Sequence, residues 1–466
     1  MRTHRVHTAI SHAAPLTLSA LAGIACLAGF GASTAVAQCT PHWDYSIPGV
    51  SVGTGYVGAF TVYQGDLIAS GSFQGIGNAP DTKYLARYNI ASNSWSAFGV
   101  GLGDAPSNSF GTSFAQMNGD LYVGGFFADA NGVPDTKSIA RWDGNQFHSL
   151  GTGWAFNSVN SVWSMKATDV FGGPKVFFGG GFNILANQPA GCVGMWDGTA
   201  VTPIVTSMPD LTQGASSINP LVTAMEVFDD GQGGGPQLYI GGRFNLVDGV
   251  PALTIARWNG STWSAVGTNL GNTIITAEID SMLVWDDGTG PALYVGGINL
   301  RVNGVLAQVA KWDGTTWTAV GQNPTGRVWT LAAFDDGSGE KLYAGGTAAG
   351  LLRVFRLEGN TWTTVEGGAD AQVIKLFPHD NRLYMGGSFN NVNGQPATKI
   401  AFRTSCASTC TADFNGDGNL DPDDLADYIA CFFEAPPCAR ADFDGSGNVD
   451  PDDLADYIAA FFAGCP

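Results

Sequence analysis

The chain has 466 residues, 44% hydrophobic and only 13% charged, with 65 Gly and 22 Pro. That composition excludes a disordered or coiled-coil protein. Lys and Arg number 21 against 40 Asp and Glu, a formal charge of −19, which argues against nucleic acid or an anionic membrane as partner because both require a basic footprint.

In chain order, residues 1–37 come first. Arg2 and Arg5 form a positive start, Leu16 to Ala32 an apolar stretch interrupted by Ser19, and Ala35-Val36-Ala37 a small-residue cleavage site. This pattern predicts a signal peptide, with an uncleaved N-terminal anchor as its rival. The mature chain of 429 residues would start at Gln38 and be secreted. No other run of 18 apolar residues is present, so no membrane span is expected in the mature chain. An exported chain permits disulfides, and its seven remaining cysteines show no CxxC or Cys/His zinc spacing.

From residue 38 to about 405 one pattern recurs seven times: DLIASG (66–71), DLYVGG (120–125), KVFFGG (175–180), QLYIGG (237–242), ALYVGG (292–297), KLYAGG (341–346) and RLYMGG (382–387). Runs such as TIARWNG (254–260) and STWSAVG (261–267) follow, and apolar runs such as LVTAMEVF (221–228) precede. Short runs rich in Val, Ile, Tyr and Trp, punctuated by Asp-Gly and Asn-Gly, read as strands and hairpins. Four antiparallel strands per unit, repeated with no helix between, predict an all-β seven-bladed β-propeller of four-stranded blades. A stacked solenoid fits less well, since its ends would need capping. All 13 Trp precede residue 363, which suits packing between blades.

An aliphatic run, Gly-Gly, an aromatic and then a Trp at blade spacing resembles the kelch-type, galactose-oxidase-like propeller repeat. The resemblance implies the fold and not the oxidase chemistry, whose copper site draws on His and Tyr. The mature chain holds three scattered His, His42, His148 and His379. The seventh copy lacks its Trp strand, while HWDYSIPGV (42–50) is a Trp strand without a blade. The two ends of the chain are therefore expected to complete one blade together. A disulfide between Cys39 and Cys406 would replace the missing turn there, with Cys410, four residues further on, as a rival to Cys406 for Cys39. Elimination then pairs Cys410 with Cys465 and Cys431 with Cys438, and leaves Cys192 free.

The tail, 406–466, holds 13 acidic residues and one basic residue, with a tandem repeat at period 29: DFNGDGNLDPDDLADYIACFF (413–433) and DFDGSGNVDPDDLADYIAAFF (442–462). Oxygen side chains at every second position fit two EF-hand-type calcium loops. The expected ligands are Asp413, Asn415, Asp417, Asn419, Asp421 and Asp424 in one, and Asp442, Asp444, Ser446, Asn448, Asp450 and Asp453 in the other. Asn419 and Asn448 would contribute backbone carbonyls, and Gly418 and Gly447 the sharp turn. Each loop enters an amphipathic helix, expected to turn Leu425, Ile429, Phe432 and Phe433 inward.

Two loop–helix units with Asp at the twelfth position resemble a type I dockerin, and the ending Gly464-Cys465-Pro466 is similar to bacterial GC-type dockerin tails. The resemblance implies two calcium ions, docking to a cohesin-like or cell-surface anchoring partner, and surface association. Pro422-Asp423 and Pro451-Asp452 depart from the small hydroxyl pair of cellulosomal dockerins, so a cellulosomal cohesin is not specifically implied.

The leading functional expectation is a non-enzymatic binding protein, with a carbohydrate or protein ligand on the propeller's loop face. FADANGVPDT (127–136), FNLVDGVPALT (244–254) and VTPIVTSMPDLTQGASSIN (201–219) would form that face. No catalytic residue is singled out. A polysaccharide hydrolase or lyase is the alternative, because dockerins ride on such enzymes, and it would require a pair of carboxylates. A surface-layer component without a ligand is a third possibility. The Asp-Asp-Gly segments at 229–231, 286–288 and 335–337 read as hairpin turns rather than a catalytic site.

Calcium is expected to fold the tail, because each loop gathers four carboxylates (413, 417, 421, 424 and 442, 444, 450, 453) whose repulsion opposes folding until a cation neutralises them. Chelation should abolish the helical circular dichroism of the tail and spare the propeller. Asp413→Ala and Asp442→Ala should each weaken one site while Asp427→Ala does not; helicity unchanged in excess chelator would contradict the assignment.

Overall fold

The structure is a computed structural model. It describes residues 41–52, 55–103, 109–151, 155–156, 161–213, 216–268, 270, 277–321, 326–347 and 353–405, and in the tail 412, 414, 420, 422–434, 438, 441–443 and 448–463. The chain divides into two compact units, one built on Thr40–Thr409 and the other on Leu420–Pro466.

The first unit is a seven-bladed propeller. Seven antiparallel sheets of four strands succeed one another along the chain, each strand pairing with the next within its blade. The first strands are Val57–Tyr63, Phe110–Met117, Val162–Thr168, Leu221–Phe228, Glu278–Asp286, Val328–Asp335 and Val373–His379. Each touches the first strand of its two neighbours, and the seventh touches the first. They form the hub. Second strands such as Gln237–Arg243 are buried along nearly their whole length, because sheet lies on both sides and blade on both faces. Their continuous apolar runs follow from that burial.

Close approach at the hub explains the glycine pairs. Every first strand carries a bulge, for example between Val222 and Ala224 and between Ile279 and Ser281. The second glycine of each pair lies opposite the bulge. A Cβ there would fall 2.0 Å from the Leu221 carbonyl oxygen at Gly242, and 2.1 Å from that of Tyr56 at Gly71. The first glycine faces the next blade, and a Cβ on Gly179 would sit 2.5 Å from a Val222 methyl. Blade one departs from the rule and shows its logic. Ser70 replaces the first glycine, and the residue it faces in blade two is Gly111, where the other blades have Val or Ile.

Tryptophans of the outer strands tie blades together by hydrogen bonds as well as packing. The indole N–H of Trp263 donates to the Ile204 carbonyl at 2.9 Å, that of Trp317 to Val266 at 2.9 Å, and that of Trp362 to Val320 at 3.0 Å. Each acceptor lies in the preceding blade.

Blade seven is completed from both ends of the chain. Trp43–Asp44 pairs antiparallel with Ile400–Thr404, with Trp43 opposite Arg403 and Asp44 opposite Phe402. Arg403, only 4% exposed, donates to both Glu366 oxygens at 2.9 and 3.2 Å and lies over the Trp43 ring. Cys39, Cys406, Cys410 and Cys465 lie outside the described residues, so the expected seam disulfide and the Cys410–Cys465 pair do too. Cys431–Cys438 is formed, with Cα atoms 5.3 Å apart. Cys192 is free and buried.

In the tail, helices α1 (Pro422–Phe432) and α2 (Pro451–Ala463) pack around one aromatic pair. Tyr428 and Tyr457 are fully buried, with parallel rings stacked at 3.7 Å. Their hydroxyls donate to the carbonyls of Ala441 and Ala412 at 3.0 and 2.8 Å. The expectation for the inward face needs correction. Ile429 and Phe433 are exposed, at 39% and 70%, as are Ile458 and Phe462. The buried stripe runs through Asp424, Tyr428 and Cys431, with Leu425 and Phe432 partly buried beside it, and centring it on tyrosine turns Ile429 and Phe433 outward. No helix among the described residues is long and apolar enough to cross a membrane.

Gly111→Val should overpack the hub against Ser70 and destabilise the propeller by about 1–3 kcal/mol. Adding Ser70→Gly should return most of that loss, which a double-mutant cycle by chemical denaturation measures. Additive effects of the two substitutions would contradict the paired-volume account.

Candidate functional site

The seven bulges build a site. A bulge re-aims one side chain per strand, and the re-aimed residues are Gly58, Thr112, Trp163, Thr223, Asp280, Trp329 and Ile374. All seven line a central channel of about 580 Å³. Tyr56, Arg243, Glu278, Arg327 and Lys375 complete its polar and aromatic wall.

One side of the channel is an ion network. The Arg327 side chain donates from Nε to Asp280 at 2.8 Å and from Nη2 to Glu278 at 2.7 Å, with a further contact between Nη2 and Asp280. Arg243 donates from Nη1 to the other Glu278 oxygen at 3.1 Å. The carboxylates of Glu278 and Asp280 are 4% and 2% exposed. Burial, then the neighbouring Glu278 charge, push the Asp280 carboxyl up from its ordinary range, and the Arg327 guanidinium opposes them. The Arg327 guanidinium also stacks over the Trp329 ring at 3.7 Å, a cation–π contact strengthened by desolvation.

Two carboxylates thus converge in the channel, where Arg327 Nη2 contacts both of them. Both are also neutralised by arginine, which suits them to hold the channel wall rather than to exchange protons.

The Asp-Asp-Gly turns lie between first and second strands and are structural clamps. Asp287 accepts from Lys311 at 2.7 Å and from the Tyr294 hydroxyl at 2.8 Å, and its first aspartate, Asp286, accepts from the turn N–H groups of Gly288 and Gly290. Asp336, fully buried, accepts from Tyr343 at 2.9 Å and pairs with Arg356. Burial would raise its pKa, yet Ser338, Tyr343 and the two arginines Arg356 and Arg403 hold it below the ordinary value.

The loops expected to carry the ligand are bound up with each other. Asp248, in 244–254, accepts from the Thr206 and Ser207 N–H groups of the 201–219 segment at 2.9 and 2.8 Å. In 127–136, Asp129 and Thr136 satisfy the loop's own backbone. Cys192 lines a smaller cavity of about 290 Å³ beside Met208, Pro209 and Asp210 of the 201–219 segment. Burial pushes its thiol up to about 12, which makes it unreactive at neutral pH.

Of the expected calcium ligands, Asp424, Asp442, Asn448, Asp450 and Asp453 are described; Asp413, Asn415, Asp417, Asn419, Asp421, Asp444 and Ser446 lie outside the described residues. Asp424 and Asp453, the twelfth position of each loop, are fully buried at the start of their helices. Asp453 accepts from the N–H groups of Phe443 and Asp450 at 2.7 and 2.8 Å, drawing the two ends of its loop together. A buried carboxylate at this position in an all-oxygen set fits a hard dication. Among the described residues no three His, Cys, Asp or Glu side chains form a metal-sized group.

The channel residues are absent from the sequence-level expectations. Their signal lies in the irregularity of the repeat: the bulge residue changes from blade to blade, while its flanks are Val or Ile before it except at Gly111, and Ala, Ser or Thr after it except at Lys375. No family model matches the chain, and no curated protein matches it. Among solved structures, a computationally designed protein aligns at 10% identity, covering 77% of this chain and 98% of that one, with a TM-score of 0.42. The extracellular domain of a one-component system from B. thetaiotaomicron aligns at 11% identity, covering 74% of this chain and 52% of its own, with a TM-score of 0.35. A chain of a mitotic checkpoint complex aligns at 15% identity over 63% and 72% of the two chains, with a TM-score of 0.35.

Arg327→Met should leave Glu278 and Asp280 buried with only Arg243 as counter-charge, destabilising the propeller by about 3–5 kcal/mol. Asp280→Asn added to it should recover part of the loss. Thermal unfolding of the three proteins checks this; an unchanged melting temperature in Arg327→Met would contradict a desolvated network.

Proposed function

We propose that this chain is a secreted, non-enzymatic binding propeller that takes its ligand in the central channel and is held in place by a dockerin-like tail. The observation that carries this reading is the channel's chemistry. Its two carboxylates are neutralised by Arg243 and Arg327, while aromatic faces and polar groups remain turned toward the cavity. A concave site of this volume with few charged groups suits a small ligand or the end of a longer one.

The kelch-type likeness of the repeats supports the same reading. In the tail, Asp424 and Asp453 with the other loop positions would hold two calcium ions, which supply folding energy rather than chemistry. The folded tail would dock to a cohesin-like or cell-surface partner, and the exposed Phe433 and Phe462 offer apolar anchors for that contact. A polysaccharide hydrolase or lyase is the second reading, favoured only by the convergence of Glu278 and Asp280.

Isothermal titration of the full chain against a panel of sugars, small organic acids and soluble polysaccharides should find a stoichiometric ligand, with no new reducing ends or unsaturated products. Turnover of a ligand, abolished by Glu278→Gln, would replace the binding reading with the enzymatic one.

A further inference from the structure

The tail is joined to the propeller through an inner strand. Ile400–Thr404, the last strand before the tail, lies between Arg382–Gly387 on one side and Trp43–Asp44 on the other. Had the C-terminal end of the chain finished blade seven itself, the tail would leave from an outermost strand, bonded on one side only. Closure by the N-terminal strand gives the strand that carries the tail a partner on both sides.

The end of that strand is tied down where the tail begins. The Thr404 N–H donates to the His42 carbonyl at 3.0 Å, the Ser405 N–H to the Asn381 carbonyl at 2.8 Å, and the Ser405 hydroxyl to the Asp335 carbonyl at 2.6 Å. Two successive residues are thus held by the N-terminal strand, by a turn of blade seven and by the first strand of blade six.

Arg403 adds a further tie that no other blade has. The equivalent third-strand residue is Tyr88, Trp142, Trp196, Trp258, Trp312 or Leu357 elsewhere. The Arg403 guanidinium reaches into blade six, to Asp336 at 3.4 Å and to Glu366. Glu366 is itself a departure. Gly99, Gly151, Gly267 and Gly321 stand there in four other blades, all at positive φ, and Glu366 keeps a left-handed backbone at φ +26°. A non-glycine residue held there is strained, and burying a guanidinium costs desolvation. Trp43 meanwhile lacks the carbonyl bond made by the indoles of Trp95, Trp263, Trp317 and Trp362, and its N–H is buried without a partner. The seam therefore replaces the apolar pairing of the other blades with an ion pair that spans two blades. An apolar contact tolerates a slip along the strand, whereas a bidentate ion pair fixes position.

We infer that blade seven is a mechanical clamp, holding the exit strand so that tension between a docked tail and the propeller does not strip the ring. This rests on the anchoring reading of the tail. Tension that draws Ser405 along its strand loads the bonds to both neighbouring strands together, and Arg403 passes part of it to blade six.

The test is single-molecule pulling of the full chain with calcium present. One handle is a peptide tag inserted between Gly233 and Gly234, in an exposed turn of blade four, and the other is a tag at the C-terminus. Release of the exit strand frees the 17 residues between Gly387 and Ser405, about 60 Å of extended chain. In the native protein this step should follow unfolding of the tail. Arg403→Leu installs the residue of blade six and leaves Asp336 its bond to Arg356. It should lower the force of the step to roughly half, since forced release follows the unfolding rate. Glu366→Gly should lower it by less. Lys311→Met, which breaks an ion pair inside blade five, should leave it unchanged. Matching circular dichroism shows that the variants are folded, and if Arg403→Leu does not fold, Glu366→Gly decides by the same criterion. An unchanged release force in Arg403→Leu, or an equal fall in Lys311→Met, overturns the clamp and leaves the anchoring reading standing. Both handles are artificial, so a tail that docks to no partner removes the anchoring reading without altering the measured clamp.

Discussion

At the hub of this propeller the second strand of each blade must pass two inner strands at once, its own and its neighbour's, with no room for a Cβ on either side. That constraint sets the rest. One glycine admits the bulge of its own blade, and the other admits the Val or Ile flanking the next bulge. Volume is conserved across the contact rather than glycine as such, as the exchange at Ser70 and Gly111 shows. The packing is settled by the glycines and the flanking residues, while the bulged residues take different tasks: Thr112 and Thr223 bond the carbonyls of Val162 and Ile279 on the next inner strand, and Asp280 pairs with Arg327. Seven such positions open onto one cavity, whose lining therefore varies from blade to blade on a common frame.

The electrostatics divide in the same way. The protein is strongly acidic overall, yet its turn aspartates are spent on structure, where the carboxylates of Asp230, Asp287 and Asp336 clamp a tyrosine of the second strand to a base on the third. Within the channel the carboxylates are cancelled by guanidinium groups. What remains on the cavity wall is Lys375 with the aromatic side chains of Tyr56, Trp163 and Trp329, inside a molecule that repels anions at long range. Selectivity at such a site comes from short-range hydrogen bonding and not from electrostatic steering.

Much of the fold was legible in the sequence because repetition averages out local ambiguity: seven copies of one strand pattern fix the blade, and the mismatched ends 42–50 and 398–403 reveal the seam later seen as Trp43 opposite Arg403. The channel was not legible. A bulge shifts the side-chain alternation by one residue, so Asp280 and Trp329 fall on neither face that a regular strand would predict. Lys375 is a departure from the repeat, and it becomes informative only once the other blades are superposed on it. In the tail the periodicity named the right helices and set their inner stripe one position off, since the stacked tyrosines Tyr428 and Tyr457 take the centre that Ile429 and Ile458 seemed to fill.

The central claim, that the bulge residues rather than the peripheral loops form the ligand site, is tested most directly on the indole N–H groups. In protein labelled with 15N-tryptophan, with resonances assigned by single Trp→Phe substitutions, a ligand found by titration should shift the indole signals of Trp163 and Trp329, whose side chains line the channel. Those of Trp263, Trp317 and Trp362, which are bonded to carbonyls of the preceding blade, should stay in place. Shifts confined to the blade-to-blade indoles, or binding that leaves Trp163 and Trp329 unmoved, would contradict the account.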